Sequence, residues 1–213
     1  MRGPSRRAAG ALPGAVLLAI LLGAAACGRV PRIIVLEDPL SAEEHVALGV
    51  AYEKKGELDL AAREYERALK KDPASFQARF NLGNVRLAEK RYDAAREEYL
   101  AALALRPGDP EATNNLAWVS ILSGSGREDA LRRMEETLTD AARRSPPLLD
   151  TYGVLLGEMS RPAQAAEAFA EAQRRCDAGD PACTEIVRQE LREHREALRT
   201  QRTDPPAGPP LVK

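Results

Sequence analysis

Chemically reactive side chains are scarce in this sequence of 213 residues. It has two histidines, His45 and His194, and neither stands in an informative motif with a serine or a cysteine. The glycines form no phosphate-binding pattern, and no set of four metal ligands at a typical spacing is evident. We therefore predict a protein that is not an enzyme and that has no cofactor, no metal site and no small-molecule substrate.

A surplus of either charge is also missing. The chain has 31 basic and 32 acidic residues, a net charge of −1. Proteins that bind nucleic acid normally present a basic surface, so we expect no nucleic-acid partner. Aromatic residues make up only 4% of the chain, whereas alanine is abundant. Because small residues let helix backbones approach closely, this composition favours packed helix pairs, and the length suffices for one domain with a core.

The N-terminal segment has the pattern of an export signal. Arginines at positions 2, 6 and 7 precede a mostly apolar run, Ala11–Leu22, that is too short for a comfortable membrane span. Small residues, Gly23–Ala26, then stand directly before Cys27. This arrangement resembles the lipobox of bacterial lipoproteins, in which the cysteine carries fatty acyl chains such as palmitate and the signal peptide is cut before it. An ordinary secretory signal and a retained membrane helix are the alternatives.

By this resemblance, residues 1–26 are a signal peptide with a lipobox, Cys27 is the lipidation site and residues 27–41 are a lipid-anchored tether. Several acyl chains on one residue anchor a protein stably, which a single chain does not. Gly28 is not the aspartate that retains such proteins in the inner membrane, so we expect an outer-membrane lipoprotein that faces the periplasm. Within the tether, Ile33–Leu36 favours an extended conformation, either as a strap on the first helices or as an interaction segment.

A unit of 34 residues occurs twice in succession, over residues 42–75 and 76–109. Most positions that define the unit recur in the second copy, and Arg86 replaces an aromatic residue. The first copy has Leu48, Gly49, Tyr52, Ala61, Tyr65, Ala68 and Pro73, and the second has Leu82, Gly83, Arg86, Ala95, Tyr99, Ala102 and Pro107. The period and these residues resemble the tetratricopeptide repeat (TPR) family, with a third unit over residues 110–145 and a fourth over 146–181.

The resemblance implies an all-α fold: a right-handed superhelix of about four helix-turn-helix units, with the first helix of each unit lining the concave side. A capping helix over residues 182–199 would cover the last unit with Ile186, Val187, Leu191 and Leu198, because an end repeat otherwise exposes its core. The turn Ser123–Gly126 of the third unit is predicted to be mobile, and residues 200–213 to be a disordered tail.

The resemblance also places a peptide-binding groove on the first helices of the units. The predicted groove residues are Val46, Val50, Gln77, Phe80, Asn81, Asn84, Asn114, Asn115, Trp118, Thr151 and Val154. The asparagines could bind the backbone of an extended peptide, with Phe80 and Trp118 as apolar anchors. The alternative is that the asparagines join neighbouring repeats and Trp118 is a core residue. Val46 stands where a carboxylate-binding member has lysine, so an acidic peptide tail is not the predicted ligand.

Cys176 and Cys183 flank a short turn before the capping helix. In an oxidising compartment they could form a disulfide, with two free thiols or a metal site as alternatives. Together these features predict a lipid-anchored TPR scaffold of the bacterial envelope. It would bind a segment of a partner protein in its groove and assist the assembly or localisation of an envelope complex. The alternative function is a structural component that self-associates through the capping helix or Ile33–Leu36. The partner and the oligomeric state stay open.

Overall fold

The computed structural model describes residues 38–200. The predicted signal peptide, Cys27, residues 28–37 of the tether and residues 201–213 of the tail lie outside the described residues. The chain divides into two units, Met1–Pro39 and Leu40–Lys213, and every helix discussed below belongs to the second.

Four helix pairs and a single last helix make up the described part of the chain, which contains no strand. The pairs are α1 (Ala42–Lys54) with α2 (Leu58–Lys71), α3 (Phe76–Ala88) with α4 (Tyr92–Leu105), α5 (Pro110–Ser123) with α6 (Arg127–Leu138), and α7 (Pro146–Glu158) with α8 (Pro162–Asp177). The last helix is α9 (Glu185–Thr200). A short 3₁₀ turn, Ala141–Arg143, lies in the over-long third unit. No helix among these is long and apolar enough to cross a membrane.

Side-chain caps set where several of these helices begin. The Ser41 amide donates to Glu44 Oε2 over 2.8 Å, and the Glu44 amide donates to Ser41 Oγ over 3.2 Å, so the predicted capping box is present. Ser75 and Asp109 cap α3 and α5 by accepting hydrogen bonds from the amides of Ala78 and Ala112, without a reciprocal side-chain contact. These contacts satisfy backbone N–H groups that have no partner within their own helix.

A glycine in the first helix of a pair packs against an aromatic ring in the second. A Cβ atom at Gly83 would lie 2.7 Å from Tyr99 Cε1, so only glycine allows this approach. Gly49 meets Tyr65 and Gly153 meets Phe169 in the same manner. The third unit has Ala117 and the flexible Met134 instead, both buried in one cluster, and Met adapts to such irregular spaces.

The turn Ser123–Gly126 is held by an arginine of the preceding unit. Arg96 Nη2 donates to Ser123 Oγ over 2.9 Å, and to the carbonyl and hydroxyl oxygens of Ser125 over 2.9 and 2.7 Å. Gly124 and Gly126 have φ angles of 70° and 75°, a conformation that glycine adopts without strain. The turn that the sequence predicts to be mobile therefore has a specific partner in α4.

The last helix begins three residues later than predicted and packs against α7 and α8. Thr184 caps it by accepting from the Val187 amide over 3.3 Å. Leu191 is fully buried and Leu198 packs against the same cluster. The prediction that Ile186 covers the last repeat is wrong, because 58% of this residue is exposed. Residues three or four apart share a face of a helix, but Ile186 is five residues before Leu191 and so points away from the face that Leu191 and Leu198 define.

Candidate binding groove

The first helices of neighbouring units contact one another, α1 with α3, α3 with α5, and α5 with α7. They therefore share one face of the array, which we call the inner groove. All eleven predicted groove residues lie on these four helices. Gln77 is exposed, and Val46, Val50 and Asn114 are half-buried. The others are buried: Phe80, Asn81, Asn84, Asn115, Trp118, Thr151 and Val154.

The asparagines form hydrogen bonds that connect the second and third units. Asn115 Nδ2 donates to Asn84 Oδ1 over 2.9 Å, and the Tyr99 hydroxyl donates to the same oxygen over 2.7 Å. Within α3, Gln77 Nε2 donates to Asn81 Oδ1 over 2.9 Å. The contacts between repeats that the sequence allows as an alternative are thus present. Peptide binding by the remaining amide groups, such as Asn84 Nδ2, stays a prediction.

The two predicted anchors lie in the core. Phe80 is 7% exposed and stacks on Phe76, with ring centroids 5.9 Å apart. Trp118 is 4% exposed and belongs to a buried cluster with residues of α7, α8 and α9. In this state neither side chain presents the broad apolar surface that a binding hot spot needs.

Helix α9 covers the inner groove of the third and fourth units. The Nδ1–H of its His194 donates to Asp150 Oδ2 of α7 over 2.7 Å. The His194 ring lies 6.2 Å from that of Trp118 and 6.3 Å from that of Phe169, measured between centroids. Leu191 shares a buried cluster with Trp118 and Val154. The predicted groove is therefore divided. Helix α9 covers its Trp118 and Val154 end, whereas among the described helices α1 and α3 pack extensively only against those of their own and adjacent units.

The Asp150–His194 pair is the feature that sequence reasoning missed. Burial lowers the pKa of His194, but its hydrogen bond to Asp150 and the charges of Asp150, Glu190 and Glu193 outweigh this, so the pKa of His194 is raised. Burial raises the pKa of the Asp150 carboxyl, although His194 opposes that effect. The sequence contained one indication of this contact: His194 lies on the same face of the last helix as Leu191 and Leu198, the face that packs against the repeats.

Acidic side chains of α1 lie at the part of the inner groove that α9 does not cover. Glu43 is exposed in the first turn of α1. Glu53, at the end of α1, accepts a hydrogen bond from the Tyr65 hydroxyl, and burial raises the pKa of its carboxyl. This charge would attract a basic segment rather than an acidic one.

Cys176 and Cys183 are joined by a disulfide, with their Cα atoms 5.2 Å apart. The bond connects the last turn of α8 to the segment that leads into α9. Within residues 38–200, no group of three or more histidine, cysteine, aspartate or glutamate side chains is arranged to hold a metal ion.

Residues 46–110 match the model of the tetratricopeptide repeat family. No curated protein matches the chain significantly. Among solved structures, MamA (residues 41 to the end) from Desulfovibrio magneticus RS-1 is 22% identical, with a TM-score of 0.59 over 65% of this chain and 77% of that one. PilF of Pseudomonas aeruginosa is 22% identical, with a TM-score of 0.58 over 78% and 79%. PilW, a type IV pilus biogenesis factor, is 17% identical, with a TM-score of 0.59 over 75% and 77%. These similarities confirm the predicted all-α superhelical fold.

Proposed function

Because this chain is a tetratricopeptide-repeat protein, we propose that it is a scaffold that binds a segment of a partner protein in its inner groove. We place it in the bacterial envelope, anchored by acyl chains on Cys27 and facing the periplasm from the outer membrane. There it would assist the assembly or localisation of an envelope complex. TPR folds are scaffolds for protein interaction, and fold alone does not identify a partner.

The half of the inner groove that no helix of residues 38–200 covers is the observation that supports this proposal. Val46 and Val50 on α1 are half-buried, and Gln77 on α3 is exposed. They offer apolar surface and an amide that can both donate and accept hydrogen bonds. A partner segment that lay here would add apolar contacts without first displacing a helix.

The charge of this half restricts the partner. Glu43 and Glu53 are acidic, and Val46 provides no cation for a carboxylate. We therefore propose a segment with basic and apolar residues as the ligand. Opposite charges across an interface raise the association rate and select against wrong partners more than they raise affinity.

The proposed location rests on the lipobox and on one structural similarity. PilW, described as a type IV pilus biogenesis factor, has a similar fold over three quarters of this chain. Mass spectrometry of the native protein tests the anchor: we expect an acylated N-terminal Cys27, and no acylation after Cys27→Ser. An unmodified mature protein that begins elsewhere would contradict the lipid anchor and leave the groove proposal to its own test.

Affinity capture from envelope extract tests the groove. The compact unit begins at Leu40, so a soluble form that begins at Gly28 keeps it intact. Val50→Lys adds a cation to the groove and should reduce capture of the partner at least about tenfold, a loss of about 1.4 kcal/mol. Leu60→Lys is the matched control, because Leu60 is 37% exposed on α2, outside the inner groove. Equal capture by both variants and the unmodified form would overturn the groove proposal.

Self-association is the second candidate function. The exposed Ile186 at the start of α9 favours it, because a large aliphatic side chain at an accessible position can pack against a second copy. Light scattering at high concentration, with Ile186→Glu as the variant, distinguishes the two functions. A strict monomer would exclude self-association through this residue.

A further inference from the structure

The His194 side chain fills a small recess in the inner groove, which we call the socket. Asp150 of α7 forms one wall, and the rings of Trp118 and Phe169 form the others. Asp150 is only 4% exposed, so its carboxylate lies almost wholly away from water. A buried carboxylate needs several hydrogen bonds to offset the loss of its hydration.

His194 satisfies this carboxylate only in part. It binds Oδ2, whereas the buried Oδ1 has no hydrogen-bond partner. A planar guanidinium can donate to both oxygens of a carboxylate at once, which an imidazole cannot. Guanidinium groups also stack on aromatic rings, and Trp118 and Phe169 supply two such rings. The socket therefore fits arginine better than the histidine that fills it.

The rest of α9 is held by few contacts. Of its 16 residues only Leu191 is buried, and Ile186 is mostly exposed. Leu198 packs against the same cluster, and Arg195 Nη1 donates to Gln173 Oε1 over 3.3 Å. Burial raises the pKa of the Glu190 carboxyl in α9, and the negative charge of Asp150 raises it further. The helix thus brings a repulsive charge to the site that it covers.

We propose that the socket formed by Asp150, Trp118 and Phe169 binds an arginine from an amphipathic helix of a partner, and that this helix displaces α9. The contacts of α9 define the ligand: arginine at the place of His194, with leucines three residues before and four residues after it, as Leu191 and Leu198 are placed. The Cys176–Cys183 disulfide keeps the start of α9 attached to α8 while the rest of the helix leaves the groove. The use of this site in the cell rests on the proposed scaffold function.

Substitutions within the chain test the chemistry of the socket. His194→Arg should raise the melting temperature by several degrees, because each kcal/mol shifts it by about 2–4 °C in a domain of this size. In the Asp150→Asn variant, His194→Arg should not raise the melting temperature. His194→Gln is the control for loss of the imidazole. A His194→Arg protein that is no more stable than the unmodified one would overturn the assignment of the socket to arginine.

A synthetic peptide of residues 185–200 tests the exchange. We expect the peptide that carries His194→Arg to bind the soluble form at least about tenfold more tightly than the unmodified peptide, and Asp150→Asn to remove this difference. Affinities will be low because so short a helix must fold on binding. The quantity to compare is therefore the ratio of the two peptides' dissociation constants. Equal binding of both peptides, or no binding of either, would overturn the proposal that a partner helix displaces α9. Val50→Lys should leave the peptide ratio unchanged, which separates this test from that of partner capture.

Discussion

Gly153 of α7 lies directly against the ring of Phe169 in α8: a Cβ atom at Gly153 would be 2.5 Å from Phe169 Cε1. Four residues later in the same helix, a Cβ atom at Gly157 would be 3.8 Å from Leu198 Cδ1, an ordinary contact distance. Only Gly153 thus lacks room for a methyl group, and the two glycines of this helix offer a matched pair of substitutions.

Gly153→Ala should destabilise the protein by about 1–3 kcal/mol, because the buried Phe169 ring would have to move within a packed core. Gly157→Ala should instead stabilise it by up to about 1 kcal/mol, since alanine favours the helix and meets no close atom. Thermal unfolding followed by circular dichroism measures both. Similar effects of the two substitutions would contradict the close packing at Gly153.

Loss of the disulfide should weaken the attachment of α9. Cys176 and Cys183 are separated by seven positions, and closing so short a loop stabilises a protein by about 2–3 kcal/mol. We expect Cys176→Ser with Cys183→Ser to lower the melting temperature and to increase hydrogen exchange in α9 more than in α1. The reductant-treated unmodified protein should behave like the double variant. Uniform exchange changes along the chain would show that the bond does not act on α9 specifically.

The docking of α9 should weaken as the pH rises. The pKa of His194 is raised above its usual value of 6.5 in the folded protein, so the folded state binds this proton more tightly than the unfolded state. The resulting stability is complete below about pH 6.5 and is lost as the pH rises through the raised pKa. We expect hydrogen exchange of α9 to increase over this range and His194→Gln to flatten the dependence. An unmodified protein with the same profile as His194→Gln would refute it.

Arg96→Ala should loosen the turn of the third unit. Arg96 makes three hydrogen bonds to Ser123 and Ser125, and hydrogen bonds to charged groups contribute about 1.5–3 kcal/mol each when buried, less where solvent reaches them. We expect faster proteolytic cleavage within residues 123–126. Arg63→Ala is the control, because Arg63 is an exposed residue of α2. Cleavage at the same rate in both variants would mean that Arg96 does not order the turn.

The parts of the fold that could be predicted from the sequence depend on residues close together in the chain. The capping box joins Ser41 to Glu44, and the glycine and aromatic positions recur within one 34-residue unit. Such features repeat with a fixed period, so the helix pairs and their order follow from the pattern. The candidate groove was predicted only as a set of positions. The pattern does not say whether the Asn84 side chain forms hydrogen bonds with a ligand or with Asn115, because an amide group suits both uses.

The sequence by itself determined that this chain is a stack of helix pairs, because the repeat period and the glycine and aromatic positions specify each pair locally. Only the tertiary structure decided which part of the inner groove α9 covers. His194 and Asp150 are 44 residues apart, and their contact depends on the path of α9 across α7. That path is set by packing against Trp118 and Phe169 and by the disulfide between Cys176 and Cys183. An amphipathic helix can cover an apolar surface in several directions, and the local sequence does not choose among them.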